Sequence, residues 1–381
     1  MFSRLRSVSN TLKHIRKCSN LPAVVKRPGG DQCTSPHFRV TVLNGDTNTG
    51  LYTCLALKQN PGISELNIHV SSRTASFAND IKYIPGRANV NIFYGEAQIE
   101  SSLKEANLAL VISKTCTKDS ATNEDVFSSA EGFLRDAANA CSFACPFAVI
   151  VVDAAPLNYT VPFFSGVFAQ HGAINTCRVL GNMNVHCLRA QTYLARKLNL
   201  DPHSLADLVV VGGGTPETIV PVISYIEPEG FPLLTDPMEM IQEIKQLEKV
   251  DKLHFNIQDG AIVRSRGLTK LASAILSGMS GKKVKGCAFV RTSDPLGVKY
   301  FSVPVEFGSC GVEKNLGLPK LSQAELESLD EAIIILSEEI ALGEKHIPPP
   351  WDFPVAHLPA KTTDVHIKVE CQPPNSKQFS F

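Results

Sequence analysis

Three short stretches hold the residues whose types and spacing could do chemistry. Asn44-Gly45-Asp46-Thr47-Asn48-Thr49-Gly50 is a turn-rich run that follows the β-branched stretch 38–43. A strand that turns sharply into a helix brings backbone amides against a phosphate when the turn is built of small residues. The helix-patterned stretch 185–199 carries His186 and Arg189. An imidazole moves protons near neutral pH, and a planar guanidinium pairs bidentately with a carboxylate. The third stretch, 208–221, is an apolar run broken by Gly212-Gly213-Gly214. Glycine cannot move a proton, so position 214 offers no acid–base chemistry.

The elements that must position these residues alternate in the first half of the chain. Strand patterns at 38–43, 65–70, 88–94, 108–113 and 148–152 are separated by helical patterns such as 51–59 and 125–142. Such alternation implies a parallel sheet covered on both faces. The second half changes character: helix 185–199, strand 208–211, helices 236–253 and 267–277, strands around 286–292 and 300–306, and a final amphipathic helix at 321–342. From Pro348 onward the chain is studded with proline and lacks either period, so an extended, undocked tail is expected.

A length of 381 residues exceeds what one hydrophobic core usually supports, and two packed domains with appendages are expected. The formal charge of zero hides an asymmetry. Residues 1–30 hold seven basic residues and no acid, which leaves 30 basic against 37 acidic residues in the remainder. Phe2, Leu5, Val8, Leu12 and Ile15 recur at helical spacing opposite that basic face. An Arg-rich, Ser-containing, acid-free amphipathic start has the form of a mitochondrial transit peptide, here assigned with its linker to 1–35; a solvated basic arm is the plainer alternative. The acidic remainder argues against nucleic acid as a partner. No apolar run reaches the ~18–20 residues that span a bilayer. The eleven cysteines contain no C-x-x-C pair, and Cys141 with Cys145 is weak support for a metal site; buried reduced thiols are expected, and no metal.

Several motifs agree in order and spacing with one family. Pro156-Leu157-Asn158-Tyr159-Thr160-Val161-Pro162, the run from Gly181 through Arg189-Ala190, Tyr300-Phe301-Ser302-Val303-Pro304 and Gly311-Val312-Glu313-Lys314-Asn315-Leu316-Gly317 resemble a mitochondrial-type malate dehydrogenase of the lactate/malate dehydrogenase superfamily, across about 37–347. The resemblance implies an α/β fold: a Rossmann-like nucleotide-binding domain at 36–181, then an α+β substrate-type domain at 182–347 and a proline-rich tail at 348–381. It also implies a matrix location, a homodimer or a heterodimer with an active paralogue, and NAD-dependent oxidation of malate.

The residues that the resemblance assigns to that reaction are altered. Gly214 stands where the family has its catalytic histidine, and His186 where it has the partner aspartate. Arg189 matches a substrate arginine. Thr117 and Asn123 occupy the two mobile-loop arginine positions, with Lys118 beside the first, and Ala155 replaces an asparagine that contacts substrate and nicotinamide. Of the three phosphate-loop glycines only Gly50 remains, with Asn44 and Thr47 at the others, and Val70 replaces the carboxylate that binds the ribose hydroxyls. Asn44 tolerates a left-handed backbone, so the turn itself can survive, whereas Thr47 and Asn48 would crowd a diphosphate. His186 reads by default as a core or cleft histidine with a backbone hydrogen bond, since the sequence names no carboxylate for it. The expectation is a pseudoenzyme with a dimeric scaffold or regulatory role and no bound cofactor. The alternatives are an active dehydrogenase that uses NAD through a rearranged Lys118, His186 and Arg189, and a sensor that binds an anion through Arg189.

Overall fold

The computed structural model describes residues 37–71, 77–114, 122–171, 178–225, 236–254, 260–292 and 297–349. The expected presequence, residues 350–381 of the proline-rich tail, Thr117 and Lys118 lie outside the described residues.

Strand β1 (Phe38–Leu43) is the centre of a parallel array. On one side lie β2 (Ile63–Val70) and then β3 (Asn89–Tyr94); on the other lie β4 (Leu108–Ile112), β5 (Val149–Asp153) and β6 (Val179–Gly181). Every pairing among these six is parallel. A strand covered on both faces has no polar face to keep wet, which is why β4 reads Leu-Ala-Leu-Val-Ile and is buried throughout. The crossovers are α1 (Asn48–Lys58), α2 (Phe77–Lys82), α3 (Ile99–Leu103), α4 (Asn123–Ala144) and α5 (Leu157–Gln170). Strand order reverses between β1 and β4, so the chain leaves their carboxyl ends in opposite directions and a crevice forms there. This is the Rossmann-type arrangement.

The second half continues the same sheet with antiparallel strands. Helix α6 (Asn184–Lys197) leads to β7 (Val210–Gly212) and β8 (Ile219–Pro221); α7 (Pro237–His254) and α8 (Ala261–Met279) precede β9 (Val284–Arg291), β10 (Tyr300–Gly308) and β11 (Gly311–Asn315), and α9 (Gln323–Lys345) closes the fold. Strand β9 joins β6 at Gly181 and Phe289, giving eleven strands in one sheet among the described residues. Capping boxes fix two long helices: Thr122 with Asp125 at the start of α4, and Ser322 with Glu325 at the start of α9.

The elements depart from the sequence expectations in instructive ways. Residues 156–162 are bracketed by Pro156 and Pro162, yet α5 begins at Leu157 and runs through Pro162. Its residues from Leu157 to Ser165 are all buried, so packing on α4 and α9 overrides the prolines. The expected strand 208–211 is shifted to Val210–Gly212, where Gly212 adopts φ 99° and a Cβ would stand 2.1 Å from the Thr218 carbonyl oxygen. All six described cysteines are unpaired, and five are buried. No helix among the described residues is long and apolar enough to cross a membrane.

Candidate functional site

At the end of β1 the backbone turns through Asn44 at φ 55°, as the sequence allowed. Asn44 Nδ2 donates to the Ile112 carbonyl at 3.0 Å, tying the turn to β4 across the crevice. Gly50 keeps helix and strand in close approach: a Cβ there would lie 2.6 Å from the Asn44 carbonyl oxygen. Thr47 is the N-cap of α1, its Oγ1 accepting from Gly50 N at 3.0 Å and donating to the Asn44 carbonyl at 2.9 Å. The orphan amide of the helix start is therefore satisfied by the chain itself. At the end of β2, Val70 is fully buried. Next to it, Asp46 Oδ2 accepts from Ser71 N at 3.1 Å and from the Ser71 hydroxyl, which in turn accepts from Lys114 Nζ at 2.9 Å.

A second carboxylate closes the ends of β5 and β6. Asp153 is buried; its Oδ1 accepts from Asn182 Nδ2 at 3.1 Å and its Oδ2 from Arg264 Nη2 at 3.1 Å. The same nitrogen reaches the Asp153 carbonyl at 3.2 Å, so the start of α8 is strapped across the mouth of the parallel array.

His186 and Arg189 lie on α6 one helical turn apart and converge on one group, Glu248 of α7. Arg189 Nη1 donates to Glu248 Oε2, and His186 Nδ1 stands 3.0 Å from Glu248 Oε1. Burial alone would raise the Glu248 carboxyl; attraction and hydrogen bonding from His186 and Arg189 reverse this and hold it down at about 2. His186 thus stands beside a carboxylate 62 residues away in the chain, one that the sequence had not named for it.

Gly214 belongs to a different cluster. Its N–H donates to Asn158 Oδ1 at 2.6 Å, while Asn158 Nδ2 donates to Glu339 Oε2 at 2.6 Å and to Thr218 Oγ1 at 2.9 Å. Thr215 Oγ1 donates to Glu339 Oε2 at 3.0 Å, and Asn123 Nδ2 to Glu339 Oε1 at 3.1 Å. Here every donor is neutral, and burial raises the Glu339 carboxyl because these donors offset the loss of water only in part. A Cβ on Gly214 would meet Leu157 Cβ at 2.7 Å. Glu217 and Lys249, 3.3 Å apart, hold this loop against α7 beside Glu248.

The chain is 30% identical over 313 residues to the mitochondrial malate dehydrogenases of Pongo abelii and Homo sapiens, covering 81% of this chain and 91% of theirs. It belongs to the lactate/malate dehydrogenase family. The family model for the lactate/malate dehydrogenase alpha/beta C-terminal domain matches residues 186–347. Among solved structures, the fold is similar to apo malate dehydrogenase from Picrophilus torridus, with a TM-score of 0.66 at 18% identity, covering 81% of this chain and 98% of that one. It is similar as well to lactate dehydrogenase from Cryptosporidium parvum in complex with lactic acid and nicotinamide adenine dinucleotide, with a TM-score of 0.65 at 19% identity, covering 83% and 100%.

Within this malate-dehydrogenase-like frame the residues singled out from the sequence fall into three groups. Asn44, Thr47 and Gly50 form the β1–α1 turn with Val70 nearby; His186 and Arg189 meet Glu248; Gly214 and Asn123 meet Glu339 through Asn158 or directly. Ala155 is exposed, and its methyl offers nothing polar. Sequence reasoning missed the four acids that complete these groups: Asp46, Asp153, Glu248 and Glu339. Asp46 stood in plain view inside the turn. The other three carried no local signal, because each meets its partner only through the tertiary fold. Among the described residues no group of three His, Cys, Asp or Glu side chains is arranged to hold a metal ion.

Proposed function

We propose that this chain is a mitochondrial malate-dehydrogenase-like pseudoenzyme, a dimeric scaffold or regulatory protein that pairs with itself or with an active relative. The observation that carries the reading is the Arg189–Glu248 pair. By the family resemblance Arg189 would hold a substrate carboxylate, and here a carboxylate of the chain already occupies it. An incoming anion would have to displace Glu248 and leave a buried charge facing His186 alone. Breaking a buried pair in this way costs about 3–5 kcal/mol.

The other requirements of the reaction fare no better. Proton transfer needs a base at Gly214, which has none. The residues present do not fit a dinucleotide. Val70 cannot accept ribose hydroxyls, Thr47 caps the amide that would face a diphosphate, and Asp46 puts a negative charge beside it. The mitochondrial assignment is supported by the acid-free amphipathic start at 1–35 and by relatives named as mitochondrial enzymes. The division into a nucleotide-type half at 36–181 and a substrate-type half at 182–347 is supported by the sheet's change from parallel to antiparallel pairing after β6.

The purified chain is expected to show no NADH-dependent reduction of oxaloacetate and no calorimetric heat of specific NADH binding. Sustained turnover in that assay would overturn the proposal. Light scattering is expected to report a dimer; a monomer at micromolar concentration would remove the homodimeric part of it.

A further inference from the structure

Behind the first turns of α6, away from Glu248, a cavity of about 260 Å³ opens between α6, the segment before β7, β9 and the segment after β11. Its wall includes Asn184, Cys187, Val209, Lys270, Lys285 and Cys287. The two thiols come from different elements, Cys187 from α6 and Cys287 from β9, one hundred residues apart. Both line this one cavity, Asn184 Nδ2 one turn before Cys187 donates to the Cys287 carbonyl at 3.4 Å, and Cys287 Sγ is 3.3 Å from the Val210 carbonyl oxygen and 3.3 Å from Ser302 Oγ. No local chain geometry brings them together, and neither takes part in the Glu248 or Glu339 cluster. Buried single cysteines are normally inert. This pair differs in two ways: the α6 turn that carries Cys187 is bonded to the backbone of Cys287, and a space large enough for a small oxidant lies against both.

We propose that Cys187 and Cys287 form a redox modification site, in which a small peroxide entering this cavity oxidises the pair to a disulfide that ties α6 to β9. Cys287 gives up its proton first, because the Cys187 S–H can donate to the thiolate that results and Lys270 adds positive charge nearby. That same contact, together with burial, holds the proton on Cys187. The Cys287 thiolate attacks one oxygen of hydrogen peroxide and the O–O bond breaks, leaving a sulfenic acid and a hydroxide that takes up the released proton as water. The Cys187 sulfur then attacks the sulfenic sulfur; the S–O bond breaks, and the departing hydroxide leaves with the Cys187 proton as a second water. Two thiols lose two electrons, and one peroxide gains them. The product pins the helix that carries His186 and Arg189 to the sheet.

The full chain supplies its own comparison, since Cys141 and Cys145 are a second pair of buried thiols, one turn apart at the end of α4. The protein is treated with equimolar hydrogen peroxide, quenched with N-ethylmaleimide in denaturant and digested with trypsin without reduction. Trypsin releases 179–189 and 286–291, each with one cysteine, so the proposed bond appears as one linked species. That species is expected to be the principal disulfide, to disappear on treatment with dithiothreitol, and to be missing from Cys287→Ser. The proposal is overturned if both peptides emerge maleimide-labelled, whether disulfides form elsewhere, Cys141–Cys145 included, or not at all. The map of the unaltered protein decides this by itself, so a variant that fails to fold leaves the outcome intact.

Discussion

Glu248 and Glu339 are both deeply buried, at 4% and 6% exposure, yet they hold their protons with opposite strength. Glu248 faces the guanidinium of Arg189 and the ring of His186 and is held down at about 2. Glu339 receives only neutral donors, from Asn158, Thr215 and Asn123, and its carboxyl is raised. The contrast separates two things a protein can do for a buried acid. Neutral hydrogen bonds satisfy its lone pairs, but only an opposite charge offsets the cost of removing an anion from water. One cluster is an ion pair fixed in its charged form, and the other is a polar knot that favours the neutral acid.

The largest expected effect comes from breaking the ionic side. Glu248→Ala should lose about 3 kcal/mol in urea denaturation at neutral pH, since it removes the carboxylate that Arg189 and His186 share. The wild-type contribution of Glu248 has a defined pH window. Its folded carboxyl lies below its ordinary value of 4.5, so the stabilisation is present above that value and is lost as the pH falls toward about 2. In the same variant the guanidinium no longer faces Glu248. Malonate should then raise its melting temperature and leave that of the wild type unchanged, and equal shifts in the two proteins would contradict the pairing.

Next in size is Gly214→His. The new Cβ meets Leu157, so a loss of about 1–3 kcal/mol is expected in the same denaturation experiment, with no gain of oxaloacetate reduction. Glu339→Gln sharpens the neutral side. A raised carboxyl stabilises the fold below its unfolded value and loses that contribution as the pH rises through the folded value. The variant should therefore melt progressively higher relative to wild type as the pH rises above the ordinary carboxylate range, and parallel pH profiles would refute the assignment. The smallest effect is that of Thr47→Ala, about 1 kcal/mol from the lost helix cap. Calorimetry on that variant should still show no NADH binding, because Asp46 and Val70 remain.

Much of the fold was legible in advance because it depends on periodicity. Phe38–Leu43 was bounded to the residue from its β-branched run, and the parallel array followed from alternation with helices. Helix α5 was not legible: Pro156 and Pro162 signal a turn locally, and only burial of the segment between α4 and α9 keeps it helical. Gly214, Val70 and Ala155 declare by type that they cannot transfer a proton, accept a hydroxyl or donate to a carbonyl. The acids that organise the clusters were hidden, since Glu248 looks like any charged residue of the amphipathic stretch 236–253 and Glu339 like any glutamate of the last helix.

The sequence by itself determined the family architecture and the subtraction: which polar groups are missing is a property of residue type at a position. Only the tertiary structure decided the addition, that Asp46, Asp153, Glu248 and Glu339 turn inward to satisfy Ser71, Arg264, Arg189 and Asn158. The physical reason is that an ion pair or a buried hydrogen bond is set by distance and by exclusion of water, and both arise only when segments far apart in the chain are packed together.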